Sequence, residues 1–303
     1  GDIVWTSPIT FVASANCAKY CGASIDFVDV EPNTGLMSVA SLEEKLLLAA
    51  KRGSLPKVII PVHYSGQSCD MVKISLLATK YGIKVIEDAS HALGATYLGS
   101  KIGSCKYSDV CIFSFHPVKM ITTAEGGMAL TNNEVIAKII RKLKNHGIVQ
   151  NSAIAPWYYE QQELGFNYRM PDLLAALGIS QLQQLDTFLI KRRQAADYYY
   201  KNIDSEKLET IYQHEYGESS YHLFPILLKN SQLRLELYDL FLAHGIKCQV
   251  HYIPVYKQPY YNQAGSDHYS GSESFYQREL SIPIFVDITA ENLKTIIKLL
   301  NSF

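Results

Sequence analysis

The sequence predicts an α/β protein: a mostly parallel sheet in a large domain, followed by a smaller α+β unit. Three observations lead there. Short apolar runs alternate with amphipathic segments through the first half, the pattern of βα units. Two of those runs end in chemistry-bearing residues, Asp88 and Lys119. After residue 150 the periodicity lapses, a long helical segment follows, and strands and helices resume in a shorter unit. With 303 residues there is material for two lobes, expected at 1–204 and 205–303.

The elements follow in order. Gly1 to Trp5 reads as a strand already inside a domain. With no initiator methionine and no leading helix, the chain is expected to be an N-terminally incomplete version of a longer protein. Ser24 to Val30 reads as a strand, and Ser41 to Lys51 as a helix with Ser41 as N-cap and Glu44 closing a capping box. Lys57 to Val62 is a short apolar strand. Asp70 to Tyr81 is an amphipathic helix stopped by Gly82. Strands follow at Lys84 to Glu87, Asp109 to Phe115 and Gly127 to Thr131, the last behind a Gly126-Gly127 turn, and then a helix at Asn133 to Asn145. Gln150 to Arg169 is polar and aromatic without a period, hence a surface loop. Pro171 opens one long helix reaching about Asn202. The smaller unit is expected to hold strands at Tyr221 to Leu228, Ile246 to Tyr252 and Ser281 to Phe285, with helices at Ser231 to His244 and Thr289 to Ser302.

Composition narrows the function classes. Apolar residues make up 48% and charged residues 19%, as in an ordinary globular enzyme. A formal net charge of -1 argues against a broad nucleic-acid surface, which needs clustered Lys and Arg. No apolar run is long enough to span a bilayer, and the opening residues lack the pattern of a secretion signal, so a cytoplasmic location is the default. The six cysteines form no CxxC pair. Cys17 and Cys21 could share a helix face and bind a metal with His63, but reduced thiols without a second ligand pair are the better reading. No G-x-G-x-x-G follows the early strands, which disfavours a dinucleotide oxidoreductase.

Ligands of open parallel sheets sit beyond the carboxyl ends of the strands. An aspartate there can pair with a protonated pyridine nitrogen through a charge-assisted hydrogen bond. An amine nearby can hold an aldehyde and then shuttle a proton. Asp88 and Lys119 therefore suit pyridoxal phosphate, a cofactor that serves as an electron sink. Asp88 could instead cap a helix at Ala89, and a lone lysine is usually a solvated loop residue. Ser114 at the strand end and the Gly126-Gly127 turn favour the cofactor reading for Lys119.

The segments EDASHALGA (87–95), SFHPVK (114–119), TTAEGG (122–127) and GFNYRM (165–170) resemble the signature blocks of the DegT/DnrJ/EryC1/StrS sugar aminotransferases, in family order and across essentially the whole chain. The resemblance implies a fold-type I pyridoxal-phosphate enzyme. It matches Lys119 to the lysine that holds the cofactor and Asp88 to the partner of the ring nitrogen. It places His91 against the ring oxygen, Ser114 on the phosphate and Phe11 stacked on the cofactor face. Asn167 matches an asparagine that reaches the cofactor of a neighbouring subunit, which implies a homodimer with shared active sites. His251, Tyr252, Ile253 and Pro254 match a segment lining the sugar-nucleotide pocket. Read without the resemblance, Phe11 is core, His91 a helix histidine, Asn167 a turn residue, and His251 and Tyr252 strand residues. The blocks SPITFVASANCA (7–18) and HPVKMITTAEGG (116–127) further resemble a branch acting on a UDP-linked 4-keto-6-deoxy-N-acetylhexosamine, with glutamate as the expected amino donor. Family members bind the phosphate partly with a Gly-Thr-Ala or Gly-Thr-Ser turn that would precede Gly1. Two rivals remain. A related sugar 3-dehydratase carries histidine where this chain has Lys119, and a non-catalytic cofactor-binding or regulatory protein would bind without turnover.

Overall fold

A computed structural model describes residues 1–206, 208–261 and 269–303. The first half runs β1 (Ile3–Thr6), α1 (Ala13–Tyr20), β2 (Ser24–Phe27), α2 (Val39–Arg52), β3 (Val58–Ile60), α3 (Met71–Tyr81) and β4 (Lys84–Asp88). A short ribbon, β5 (Thr96–Tyr97) and β6 (Ser100–Lys101), precedes β7 (Val110–Ser114) and β8 (Gly127–Leu130). Six of these strands form one sheet in the order β2-β1-β3-β4-β7-β8. All neighbours are parallel except β7 and β8. The antiparallel step needs a glycine: a Cβ on Gly127 would stand 2.8 Å from the Phe113 carbonyl oxygen.

The strands are apolar because helices cover the sheet. Trp5, Ile59, Val85, Cys111 and Phe113 are buried in one cluster with Leu42 and Leu46 of α2 and Ile74 and Leu77 of α3. α3 has the ends expected of it, with the Asp70 carboxylate accepting from the Lys73 N–H and Gly82 left-handed at φ 68°. α2 differs from expectation. Its cap is Ser38, whose hydroxyl accepts from the Ser41 N–H, so Val39 and Ala40 are already helical. The serine three residues upstream is extended at φ -71°, ψ 118° and can reach the orphan donor, whereas Ser41 sits within the helix.

α4 (Glu134–Leu143) follows with Asn133 as its cap. The expected surface loop contains a hairpin instead, β9 (Ile148–Gln150) against β10 (Tyr159–Gln161). The expected single long helix is two, α5 (Asp172–Leu182) and α6 (Leu185–Asn202), meeting at 54°. The bend has a packing cause. α5 buries none of its residues, whereas α6 turns Leu185 and Leu189 into the large core and Ala195, Ala196 and Tyr199 into a second one. A straight continuation could not serve both. No single helix among the described residues is long and apolar enough to cross a membrane.

The last part comprises β11 (Leu208–Thr210), β12 (Gly217–Glu218), β13 (Phe224–Leu228), α7 (Arg234–Ala243), α8 (Ser270–Arg278), β14 (Glu279–Ile282) and α9 (Ala290–Ser302). β11, β13 and β14 form an antiparallel sheet, while β12 pairs with β5 of the first half. α9 begins with a capping box at Thr289 and Asn292. The expected strand from Ile246 to Tyr252 is absent; a bridge between Gln249 and Ser281 is all that forms. Beyond that bridge the backbone bonds to side chains: the His251 carbonyl accepts from Tyr64 Oη at 2.6 Å, and the His251 N–H donates to Glu279 at 2.8 Å. Arg192 of α6 ties the halves together, donating from one guanidinium nitrogen to the carbonyls of Tyr221, His222 and Ile284.

Candidate active site

A cleft of about 410 Å³ opens beyond the carboxyl ends of β4 and β7. It lies within the roughly 300–1,000 Å³ typical of small-molecule sites. Asp88, His91, Ser114, Lys119, Phe11 and Tyr252 all line it. Six of the ten residues singled out from sequence therefore meet in one place.

β4 delivers Asp88 at its last position, partly buried. No helix follows, so Asp88 is not a helix cap; a turn begins there instead. One carboxylate oxygen accepts from the Ser14 hydroxyl at 2.5 Å, and the other from the Ser90 N–H at 3.1 Å and its hydroxyl at 2.6 Å. These three donors fix how the carboxylate faces the cleft. Neither serine was singled out from the sequence. Their local signals are position alone: Ser90 stands two residues past Asp88, where an aspartate side chain readily closes a turn, and Ser14 lies in the first turn of α1.

β7 delivers Ser114 at its end, and the loop behind it returns Lys119 to the mouth. The backbone of that loop is pinned: the Lys119 N–H donates to the His116 carbonyl, and Thr122 Oγ1 to the Phe115 carbonyl. Burial pushes the Lys119 amine below its ordinary value, against the opposing pull of Asp88. A partly desolvated amine keeps more of its neutral, nucleophilic form near neutral pH.

His91 is buried and held neutral. Burial lowers its pKa well below the usual histidine range, and His222, Lys119 and His251 add to the effect. Its Nε2 pairs with Tyr252 Oη at 3.1 Å, and its ring stands 4.5 Å from that of His222. The Nδ1 atoms of both rings have no protein partner among the described residues. His91 is not in a helix; its carbonyl accepts from Ser220 Oγ at 2.7 Å, anchoring the turn to the second half. Phe11 is 61% exposed, which removes the reading of it as core, and its ring tilts toward Tyr252 at 6.4 Å.

Residues 251–254 reach the cleft through Tyr252. Tyr252 lines the cleft, Ile253 is exposed and Pro254 buried. Burial, with Lys119 second, lowers His251 to about 4, so its ring is neutral. Behind it lies Glu279, fully buried in β14, whose carboxyl burial pushes up to about 8. Its mark in the sequence is an acid opening the otherwise apolar run ELSIPIF. Asn167 stands apart from the cleft on an exposed segment after β10, bridging Asn145. Cys17 lies in α1 and Cys21 caps its C-terminal end, but His63 is buried against Glu87 at 2.7 Å and accepts from the Cys69 N–H; among the described residues no cluster could hold a metal.

An amine and a carboxylate set across one cleft at the strand ends, with an exposed aromatic face beside them, define a fold-type I pyridoxal-phosphate transferase site. The chain belongs to the DegT/DnrJ/EryC1/StrS aminotransferase family, whose pattern matches residues 1–301. It is 41% identical over 296 residues to the UDP-4-amino-4,6-dideoxy-N-acetyl-beta-L-altrosamine transaminase of Campylobacter jejuni, covering 96% of this chain and 76% of that protein. It is 32% identical over 306 residues to the GDP-perosamine synthase of Escherichia coli O157:H7, covering 100% and 79%. Among solved structures, Helicobacter pylori PseC, an aminotransferase of pseudaminic acid biosynthesis, superposes with a TM-score of 0.90 at 29% identity, covering 100% of this chain and 80% of that one. The sugar aminotransferase Spr1654 of Streptococcus pneumoniae, solved in its pyridoxal-phosphate form, gives 0.89 at 27% identity, covering 100% and 80%.

The residues present fit pyridoxal phosphate. They supply one amine, one oriented carboxylate, a neutral imidazole with an unpartnered Nδ1, a hydroxyl at Ser114 and an aromatic face at Phe11.

Proposed function

We propose that this chain transfers an amino group, drawn from glutamate, to C4 of a UDP-linked 4-keto-6-deoxy-N-acetylhexosamine on the route to pseudaminic acid. The observation that carries the reading is the shared cleft of Lys119 and Asp88. The likeness to the Campylobacter transaminase and to PseC supports the sugar. The cofactor, when bound, accepts the negative charge that develops as a substrate C–H proton leaves. Lys119 Nζ holds the cofactor and moves that proton, helped by the burial that keeps its amine available. Asp88, oriented by Ser14 and Ser90, takes the ring nitrogen, His91 the ring oxygen, Ser114 the phosphate, and Phe11 the ring face. Residues 1–204 carry the cofactor, and 205–303 bring His251, Tyr252, Ile253 and Pro254 to the nucleotide sugar.

The working unit is a cytoplasmic homodimer in which Asn167 reaches the partner's cofactor. Three features support this. Asn167 stands outside its own chain's cleft. Leu173, Leu177, Ile179 and Leu182 of α5 are exposed, as are Phe166 and Tyr168, which stack on each other. All six cysteines are unpaired, which suits a reducing compartment.

A coupled assay over a panel of UDP-4-keto sugars tests the substrate, and inertness toward all of them defeats it. Adding pyridoxal phosphate and then glutamate tests the activity, since an enzyme shifts its absorbance on glutamate and an inert binder does not.

A further inference from the structure

Glu279, Ser281 and His251 form a chain of hydrogen bonds leading out of the core. Ser281 Oγ lies 2.6 Å from Glu279 Oε1 and 2.9 Å from His251 Nδ1. The second carboxylate oxygen accepts from the His251 N–H at 2.8 Å, so that oxygen cannot carry a proton toward it. Tyr64 Oη already donates to the His251 carbonyl and approaches Glu279 Oε1 only at 3.4 Å. A hydroxyl between two such partners donates to one and accepts from the other. The chain therefore runs in one of two directions. With Glu279 ionised, Ser281 donates to it and His251 Nδ1–H donates to Ser281, leaving Nε2 a bare acceptor. With Glu279 protonated, its O–H donates to Ser281, Ser281 donates to Nδ1, and the ring proton sits on Nε2. That Nε2 has no protein partner among the described residues and is not among the sealed orphan atoms, so it keeps some access to solvent or ligand.

We propose that Glu279 acts through Ser281 as a positioning residue that sets the tautomer of His251, presenting Nε2 to the substrate as a donor when the carboxyl is protonated and as an acceptor when it is not. The proposal rests on the reading of His251 as a residue of the nucleotide-sugar pocket. A donor is the useful form there, because phosphate and N-acetyl oxygens only accept. Burial, which raises the Glu279 carboxyl to about 8, puts the changeover within a working range of pH. The groups that face this carboxyl are Tyr64 beyond β3, His251 and Tyr252 opposite, Cys248 on the preceding segment, and Arg234 of α7, which bonds the Glu279 carbonyl. Lys119 faces His251 from the cofactor side. Of these, His251 is already neutral, and its pKa of about 4 keeps its own charging well below the window.

Nitrogen NMR of histidine-labelled protein reads the tautomer directly, with H251N assigning the signal. The wild type is expected to move from Nε2–H to Nδ1–H as pH rises through about 8. E279Q keeps an acceptor for the His251 N–H and offers an amide donor to Ser281, so it is expected to hold Nε2–H throughout. S281A is expected to uncouple the ring from pH. The KM for the nucleotide sugar should rise about threefold to tenfold across the window in the wild type, the value of one neutral hydrogen bond, and stay flat in E279Q. A wild-type ring that keeps one tautomer across the window, or a changeover that persists in E279Q or S281A, overturns the proposal. The NMR reading needs no turnover, so a chain that aminates no sugar sinks the function proposed above and leaves this test standing.

Discussion

The two walls of the cleft are made differently. The first wall comes from neighbouring strands of one sheet: Asp88 ends β4, Ser114 ends β7, and Lys119 follows five residues later. Asp88 and Ser114 are placed by strands whose buried positions, among them Val85, Cys111 and Phe113, are packed into the large core, which resists small displacements. The other wall, which Tyr252 supplies, belongs to an irregular segment, 251–254, held by side chains 28 to 187 residues away in sequence: Glu279 and Tyr64 clamp the backbone, and His91 takes the Tyr252 hydroxyl. One side of the cleft is thus set by strand ends, and the other by hydrogen bonds between segments remote in sequence.

Breaking the first wall should have the largest effect. Lys119→Ala should abolish turnover and the absorbance of bound cofactor. The loss should exceed the 10²–10⁴-fold typical of removing a proton-transfer group, because attachment is lost as well. Persistent turnover would end the assignment. Asp88→Asn comes next, with proton abstraction slowed about 10²–10³-fold in stopped-flow traces while cofactor stays bound. An unslowed trace counts against the role given to Asp88.

The tie between the walls ranks third. Arg192 is buried and bonds three carbonyls, so Arg192→Ala strands buried acceptors and should lower unfolding stability by about 3 kcal/mol in urea titration. A loss near zero would show that Arg192 is not a principal tie between the halves.

A smaller effect separates the walls by pH. Glu279 is raised above its ordinary 4.5 to about 8, so across that window the folded chain binds more protons than the unfolded one. Its contribution is full below 4.5 and is lost as pH rises through about 8. Thermal melts of the wild type should therefore lose ground to Glu279→Gln as pH climbs through this range, and parallel curves would refute the burial argument. The smallest effect lies far from either wall. Ser38→Ala should cost about 1 kcal/mol as a lost cap, and Ser41→Ala much less. Equal losses would restore Ser41 as the cap.

How far the fold could be read from the residues depended on the range of the interactions. α3 and α9 begin one residue after the expected Asp70 and Thr289, which serve as their N-caps, because caps and left-handed glycines act within a turn. The capping serine of α2 was misplaced by three positions because two serines compete locally and only the backbone angles choose between them. The bend between α5 and α6 has no local mark, since neither glycine nor proline stands at Gln183 or Gln184; it comes from the positions of two cores. The strand expected at Ile246 to Tyr252 failed for a related reason. Its β-prone residues were outcompeted by Glu279 and Tyr64, partners that local propensity cannot see.

Alternating apolar runs and their polar ends were enough to establish a covered parallel sheet, and with it Asp88 and Lys119 at neighbouring strand mouths. Periodicity and caps are properties of adjacent residues, so they survive without the fold. What waited for the folded chain was every bond spanning distant segments: Ser14 on Asp88, Tyr252 on His91, and Glu279 beneath His251. Those contacts exist only after burial has brought remote side chains together and stripped away the water that would otherwise have satisfied them.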